Sequence, residues 1–338
     1  MSAVSPPRAQ EARRGRGGRV LPFPVTGQEL VLLGVVAALW VVLGLATPAF
    51  LSSGSIIPLL VSTAPIALIG IGVTVVIISG GIDVSVGSVV LVCAAVAATV
   101  MTTSDAPLVL VLLVSVAVGG ALGLVNGVLV AYGRVHAIII TFGTLNIFRF
   151  LGLQVFGGST IDAIPPTLGV FGRGEAGRTL GVPHSFLLVV VVAVVAWVAL
   201  RHTAGGRHYY AIGGDAQAAR LAGIAVRPRV LLAYVTTGLL TGLAACFVIA
   251  QGTSTLAPNV GLGLELSAIA AVVIGGTSIT GGRGSVLGTV LGALLVQTVA
   301  SGIIQLGWPS QLSSLFIGVF IIVAVGVDLL RQRGRRSS

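Results

Sequence analysis

Long apolar runs separated by short polar punctuation dominate this chain. Reading runs of low polarity gives ten segments: 29–46, 57–79, 86–104, 107–130, 136–156, 186–201, 230–251, 265–280, 285–306 and 312–330. A helix needs about 20 apolar residues to cross the hydrocarbon of a bilayer. The expected fold class is therefore all-α membrane, a polytopic bundle of about ten transmembrane helices, some short or broken. Segment 265–280 is short enough to be expected as a broken or re-entrant helix. No stretch between the runs exceeds about 30 residues, below the roughly 50 of an isolated domain. A separate catalytic domain is not expected.

The polar positions give the chain a direction. All nineteen basic residues are arginine, and lysine is absent. With the N-terminal tail in the cytoplasm, sixteen arginines fall inside: five in the tail, Arg134, the group Arg201, Arg207, Arg220, Arg227 and Arg229, then Arg283, and Arg331, Arg333, Arg335 and Arg336. Arg173 and Arg178 fall outside, and Arg149 within a span. The positive-inside rule thus predicts ten spans with both termini cytoplasmic. The expected organisation is a disordered basic tail over 1–28, a transmembrane domain over 29–330 with a cytoplasmic loop at 202–229, and a basic tail at 331–338. The run Leu30–Ala46 is longer than the h-region of a signal peptide, so an uncleaved first span is expected.

Composition narrows the function. Hydrophobic residues make up 55% of the chain and charged ones 8%, which fits a protein solvated largely by membrane lipid. The net charge of +10 is explained by this topology, without nucleic acid as a partner. The absence of lysine excludes a P-loop lysine and a Schiff-base nucleophile. Cys93 and Cys246 lie inside apolar runs, and His136, His184, His202 and His208 have no ligand spacing. No metal site, catalytic residue or cofactor of its own is expected of this chain.

Glycine, at 48 residues, is the other signal. Gly119, Gly123 and Gly127 recur every fourth residue, as do Gly284, Gly288 and Gly292, with a shorter track at Gly238 and Gly242. This spacing cuts a groove into one helix face and lets a neighbouring backbone approach closely. Packing within one subunit and a seam between two subunits both suit it.

Three stretches carry small polar groups and rare charges where a plain span would be aliphatic. In Gly80–Ser88, Asp83 or Ser85 can cap the following helix; the same break can line a solute path, because non-helical backbone at membrane depth needs a cavity or protein around it. In Arg207–Ile224, Asp215 can cap a short helix over Ala216–Ala222 with Gly223 as its left-handed stop. Such a helix suits docking to a cytoplasmic protein or rests on headgroups. In Glu265–Ser285, glycine pairs flank Thr277–Thr280 and argue against one continuous helix, with Glu265 and Arg283 at opposite ends.

These stretches resemble the signatures of the ribose/xylose/galactose-type permeases of bacterial ABC importers. Gly81–Ser88 matches their Gly-Ile-Asp-Leu-Ser-Val-Gly-Ser element with Val84 in place of Leu. Ala211–Ile224 matches their Ala-Ile-Gly-Gly-Asn-x-Glu-Ala-Ala-Arg-Leu-Ser-Gly-Ile loop, and Glu265–Ser285 their long Glu-Leu-Asp-Ala run ending in Gly-Gly-Arg-Gly-Ser. Thr141–Leu145 with Arg149 resembles a fourth element. Gln217 stands where the family commonly has Glu, Ser267 where it has Asp, and Phe150 where Gly is common.

The resemblance implies a multi-pass subunit of the bacterial cytoplasmic membrane. A second permease subunit, the same or similar, would complete the path, and an extracytoplasmic solute-binding protein would deliver a sugar. ABC ATPase subunits, holding ATP and Mg, would dock on a coupling loop formed here by Gly213, Gly214, Asp215, Gln217, Ala218, Ala219, Arg220 and Gly223. Candidate residues of the solute path are Asp83, Ser85, Ser88, Asn126, Thr141, Thr144, Asn146, Glu265, Thr277 and Ser278. An ion-coupled secondary carrier is the alternative; it would draw on the few acidic groups near spans, Asp83, Asp105, Glu265 and Asp328.

Overall fold

The computed structural model describes residues 27–252 and 254–336. The basic tail expected over 1–28 lies outside them apart from Gly27 and Gln28, which open the first helix. Among the described residues twelve α-helices follow one another: α1 Gly27–Ala46, α2 Ser53–Ile78, α3 Val86–Thr103, α4 Leu108–Tyr132, α5 Ala137–Phe156, α6 His184–His202, α7 Ala204–Gly214, α8 Ala216–Leu221, α9 Val226–Gln251, α10 Leu264–Ile274, α11 Val286–Gln305 and α12 Leu312–Arg336. Eight of these are long and apolar enough to cross a membrane, and α10 and α12 contribute shorter apolar stretches. Together they occupy the ten segments read from the sequence. The chain is a polytopic, all-helical membrane protein.

Helix α2 is apolar on every side, so it takes the centre of the bundle; its residues from Thr63 to Ser79 are all buried. Helices α4, α5 and α6 instead keep broad aliphatic faces exposed, including Val109, Leu113, Ile139, Ile147, Val191 and Val195. That pattern is what lipid as solvent permits.

The glycine tracks bring helices of the same subunit together. A side chain at Gly119 or Gly123 would strike the backbone of α9 at Gly238, Gly242 and Tyr234, and one at Gly127 would strike Leu231. Ser115 tightens this seam by donating to the Gly242 carbonyl at 2.7 Å. On α11, Gly288 abuts the Gly275 backbone and Gly292 that of Ala271, so α10 and α11 lie almost backbone to backbone. Gly284 faces the side chains of Ile78 and Thr277.

Three parts differ from the sequence reading. The coupling segment holds two helices, because Thr203 caps α7 by accepting the Gly206 N–H at 2.9 Å before α8 begins. The segment 157–183 carries short 3-10 turns at Pro166–Phe171 and Glu175–Gly177 and a small antiparallel pair, β1 Arg178–Thr179 with β2 Val182–Pro183. Residues 331–336 continue α12 without a break.

The loops sort to two ends. Residues 79–85, 203–225 and 275–285 meet at one end, where Arg227 also lies 5.7 Å over the Tyr132 ring. Residues 157–183 and 254–256 meet at the other, through an Ile161–Leu256 bridge and the Ile164 N–H bonded to the Ser254 carbonyl. The first end is the one that the arginine pattern assigns to the cytoplasm.

Candidate translocation and coupling site

The three stretches singled out by sequence converge on three glycine pairs. The end of α2 (Gly80, Gly81), the end of α7 (Gly213, Gly214) and the turn after α10 (Gly281, Gly282) touch one another. The Gly282 N–H donates to the Ile78 carbonyl at 2.9 Å. Gly213 lies so close to that carbonyl and to Gly282 that even a methyl group would collide with both. A Cβ on Gly281 would sit 3.1 Å from the Cα of Gly213 and 3.1 Å from that of Gly80. Gly80, Gly281 and Gly282 have φ of 87°, 86° and 73°, the left-handed region that glycine enters without steric cost. Tyr210 joins the contact by donating to the Gly284 carbonyl at 3.3 Å. Burial pushes the Tyr209 and Tyr210 phenols up from their ordinary range, against the opposing pull of Arg229 and Arg201.

From this junction α8 projects outward. Asp215 caps it through one carboxylate oxygen, accepting the N–H groups of Gln217 at 2.8 Å and Ala218 at 3.0 Å. Its far end closes in a Schellman arrangement: Ile224 N–H donates to Ala219 O and Gly223 N–H to Arg220 O, each at 3.0 Å, with Gly223 at φ 83°. Ala219 alone in the helix is buried; Ala216, Gln217, Ala218, Arg220 and Leu221 are exposed, Leu221 by 90%. Asp215 also continues directly from Gly213 and Gly214, so the cap is one residue from the glycine junction.

On the other side of the junction, residues 80–85 are pinned by polar groups from three helices. Asp83 accepts the Ser85 N–H at 2.9 Å and the Ser85 hydroxyl at 2.7 Å. Thus the carboxylate of Asp83 satisfies the first N–H before α3, and the Ser85 hydroxyl caps nothing. Asn126 of α4 donates to Ser85 Oγ at 2.7 Å. Thr141 of α5 donates to Ile82 O at 3.2 Å and accepts the Val84 N–H at 3.4 Å. Tyr234 of α9 donates to the same Ile82 carbonyl at 3.3 Å. Asp83, Ser85, Asn126 and Thr141 are all buried, as is Ser88 one turn up α3. Among the described residues Asn126 Oδ1 has no hydrogen-bond partner.

The remaining sequence candidates are dispersed. Thr144 is buried and donates to Thr141 O at 3.3 Å, while Asn146 is exposed and donates to Phe142 O at 2.9 Å. Thr277 and Ser278 belong to the turn after α10; Thr277 Oγ1 is buried without a partner among the described residues, and Ser278 pairs with Thr280 at 3.0 Å. Glu265, in the first turn of α10, lies against Gly87, between Ser85 and Ser88 of the break. Sequence reasoning missed Tyr234 and the Ile78 carbonyl. A tyrosine amid an apolar run is a faint signal, and a main-chain carbonyl gives none.

Comparison with known proteins decides what such a bundle belongs to. Residues 55–325 match the family described as branched-chain amino acid transport system / permease component. The chain is 38% identical over 304 residues to the ribose import permease protein RbsC of Escherichia coli (strain K12), covering 90% of this chain and 92% of that one. The chain belongs to this permease family. The galactofuranose transporter permease protein YtfT of the same strain is 36% identical over 278 residues, 82% of this chain and 80% of its own. The D-allose transport system permease protein AlsC is 32% identical over 281 residues, 83% and 85%. No solved structure matches. In the permease, the exposed α8 and the pinned 80–85 break are joined through the glycine pairs with no intervening side chain.

Proposed function

We propose that this permease forms, with a second permease subunit, the path of an ABC importer for a monosaccharide or similar polyol across the bacterial inner membrane. Separate ATPase subunits, which carry the ATP and Mg, dock on α8, and an extracytoplasmic binding protein delivers the solute at the opposite end. The chain itself has no nucleotide-binding part and no catalytic role. Curated relatives named for ribose, galactofuranose and allose support a sugar as cargo.

The observation that carries this reading is the placement of α8. A six-residue helix capped at both ends, buried only at Ala219 and presenting Leu221 and Arg220 outward, offers a partner both an apolar knob and a charge. The end of α7, from which it springs, touches the end of α2 and the α10–α11 turn at Gly213 and Gly214. A push on α8 therefore reaches the 80–85 break directly, because close-packed backbone transmits displacement. Asp83, Ser85, Asn126 and Thr141 hold that break in one arrangement, and they are the polar groups through which it would open or close around a solute.

The test is to copurify the permease with its ATPase subunits and measure ATP-driven uptake. Gly223→Val forces a β-branched residue into the left-handed region. It should leave the permease folded in the membrane while releasing the ATPase subunits and abolishing uptake. Full uptake by Gly223→Val would remove α8 from the coupling role.

A further inference from the structure

The segment 254–275 has an unusual course. Helix α9 ends at Gln251 at the end remote from the glycine junction, where Leu256 bridges to Ile161. Only a few residues later, Gly261 packs so closely that a Cβ on it would strike the carbonyl of Gly87 and sit 3.3 Å from Cβ of Val90. The chain then turns into α10, whose 11 residues span about 16 Å. That helix ends at Gly275 and Gly276, which lie against Gly288 and Gln28, near the first residues of α11 and α1. Since the hydrocarbon core is about 30 Å thick, α10 reaches half-way across, and Glu265 in its first turn stands near the bilayer midplane.

Two features at this depth are incompatible with lipid. Residues 257–263 are turns without regular helix or strand, and Ala257, Asn259 and Leu262 among them are exposed. Irregular backbone and a free amide side chain are tolerated at membrane depth where they line a watered cavity or meet protein. Glu265 is partly buried, with some of its surface open, and among the described residues it makes no ion pair. A carboxylate at the midplane is costly unless it faces a cavity. Gly87 leaves room for it: a side chain there would occupy the space of the Glu265 carboxylate, with Glu265 Cδ 3.1 Å from the Cβ position.

We infer that the re-entrant segment 257–265 forms a wall of the aqueous solute route, and that Glu265 accepts hydrogen bonds from hydroxyl groups of the passing solute. The inference rests on the importer reading above and deepens it by naming the specificity residue. An ionised carboxylate offers acceptor sites alone, which suits a neutral polyhydroxy solute presenting two adjacent hydroxyls. The simpler role, an acid in the first turn favouring the helix dipole, needs no contact with water.

Cysteine accessibility separates the two. Cys93 and Cys246 are fully buried, so the natural chain is a quiet background. In the assembled importer, Glu265→Cys and Val195→Cys, the latter on the exposed aliphatic face of α6, are treated with a membrane-impermeant methanethiosulfonate. Glu265→Cys should react at least about tenfold faster. Equal, slow reaction at both positions would overturn the aqueous wall. In proteoliposomes with ATPase and binding protein, Glu265→Gln should lower D-ribose uptake at least about tenfold while the complex still assembles. Unchanged uptake by Glu265→Gln would overturn the hydroxyl-binding role, and a greater loss for an amine-bearing sugar than for ribose would replace it with cation recognition. Absence of ribose uptake by the unmodified importer would instead count against ribose as cargo, leaving the thiol rates to decide for or against the aqueous wall.

Discussion

Gly213 and Gly214 are neighbours in sequence with opposite tolerances. A methyl group on Gly213 would collide with the Ile78 carbonyl and the Gly282 backbone, whereas one on Gly214 meets nothing within 4 Å. Backbone cannot yield as a flexible side chain would, and overpacking of this kind costs about 1–3 kcal/mol. Gly213→Ala should therefore lower thermal stability and cut ATP-driven uptake at least about tenfold, with Gly214→Ala close to the parent in both assays. The two glycines are indistinguishable by sequence, since only the fold brings Ile78 and Gly282 to one of them. Ser85 gives a second residue-level test. Its hydroxyl donates to Asp83 and accepts from Asn126, and among the described residues Asn126 Oδ1 already lacks a partner. Ser85→Ala would remove the Ser85 acceptor of the Asn126 amide in a buried site, at about 1–3 kcal/mol. Ser85→Ala with Asn126→Leu should recover part of the thermal stability that Ser85→Ala loses.

At the scale of elements, what was legible in the sequence follows from whether the signal is local. The membrane helices announce themselves by unbroken apolar length, and α8 by the spacing of Asp215 and Gly223, whose cap and left-handed stop are found as expected. The break after Ile274 is equally local, because Gly276 at φ 95° belongs to a visible glycine pair. Helix α7 was missed because Gly205, Gly206, Gly213 and Gly214 lower its intrinsic propensity. It forms because the Thr203 cap and packing override that weakness: Gly206 lies against Ala199 and Leu200, and Ile212 is buried. The glycine tracks were legible as grooves but not as to partner; Gly119 and Gly123 meet α9 of their own chain. Gly123→Ile should accordingly separate α4 from α9 and remove folded permease from the membrane fraction. Asp215→Ala acts on α8 alone. Loss of its cap costs about 1 kcal/mol, so binding of the ATPase subunits should weaken by up to about tenfold with permease stability unchanged.

For the whole molecule, the arrangement links a docking helix at one end to a polar break and a re-entrant half-helix deeper in the bundle. The arginine pattern and the contacts between loops agree on which junctions share an end: 79–85, 203–225 and 275–285 are assigned to one side by charge and meet there in space. The site itself was only partly visible in the sequence. Asp83, Ser85 and Asn126 proved to be hydrogen-bond partners, Thr141 holds the same break through Ile82 and Val84, and Glu265 reaches it at Gly87, while Asn146 lies elsewhere. Hydrogen-bond partners across helices depend on packing that no single segment encodes. The central claim is that energy enters through another chain docked on α8. The direct measurement is D-ribose uptake into proteoliposomes holding the permease, with and without its ATPase subunits, binding protein and ATP. Uptake that requires all three additions, and that Gly223→Val abolishes, is the predicted result. Uptake by the permease alone, driven by a proton or sodium gradient without ATP, would contradict it.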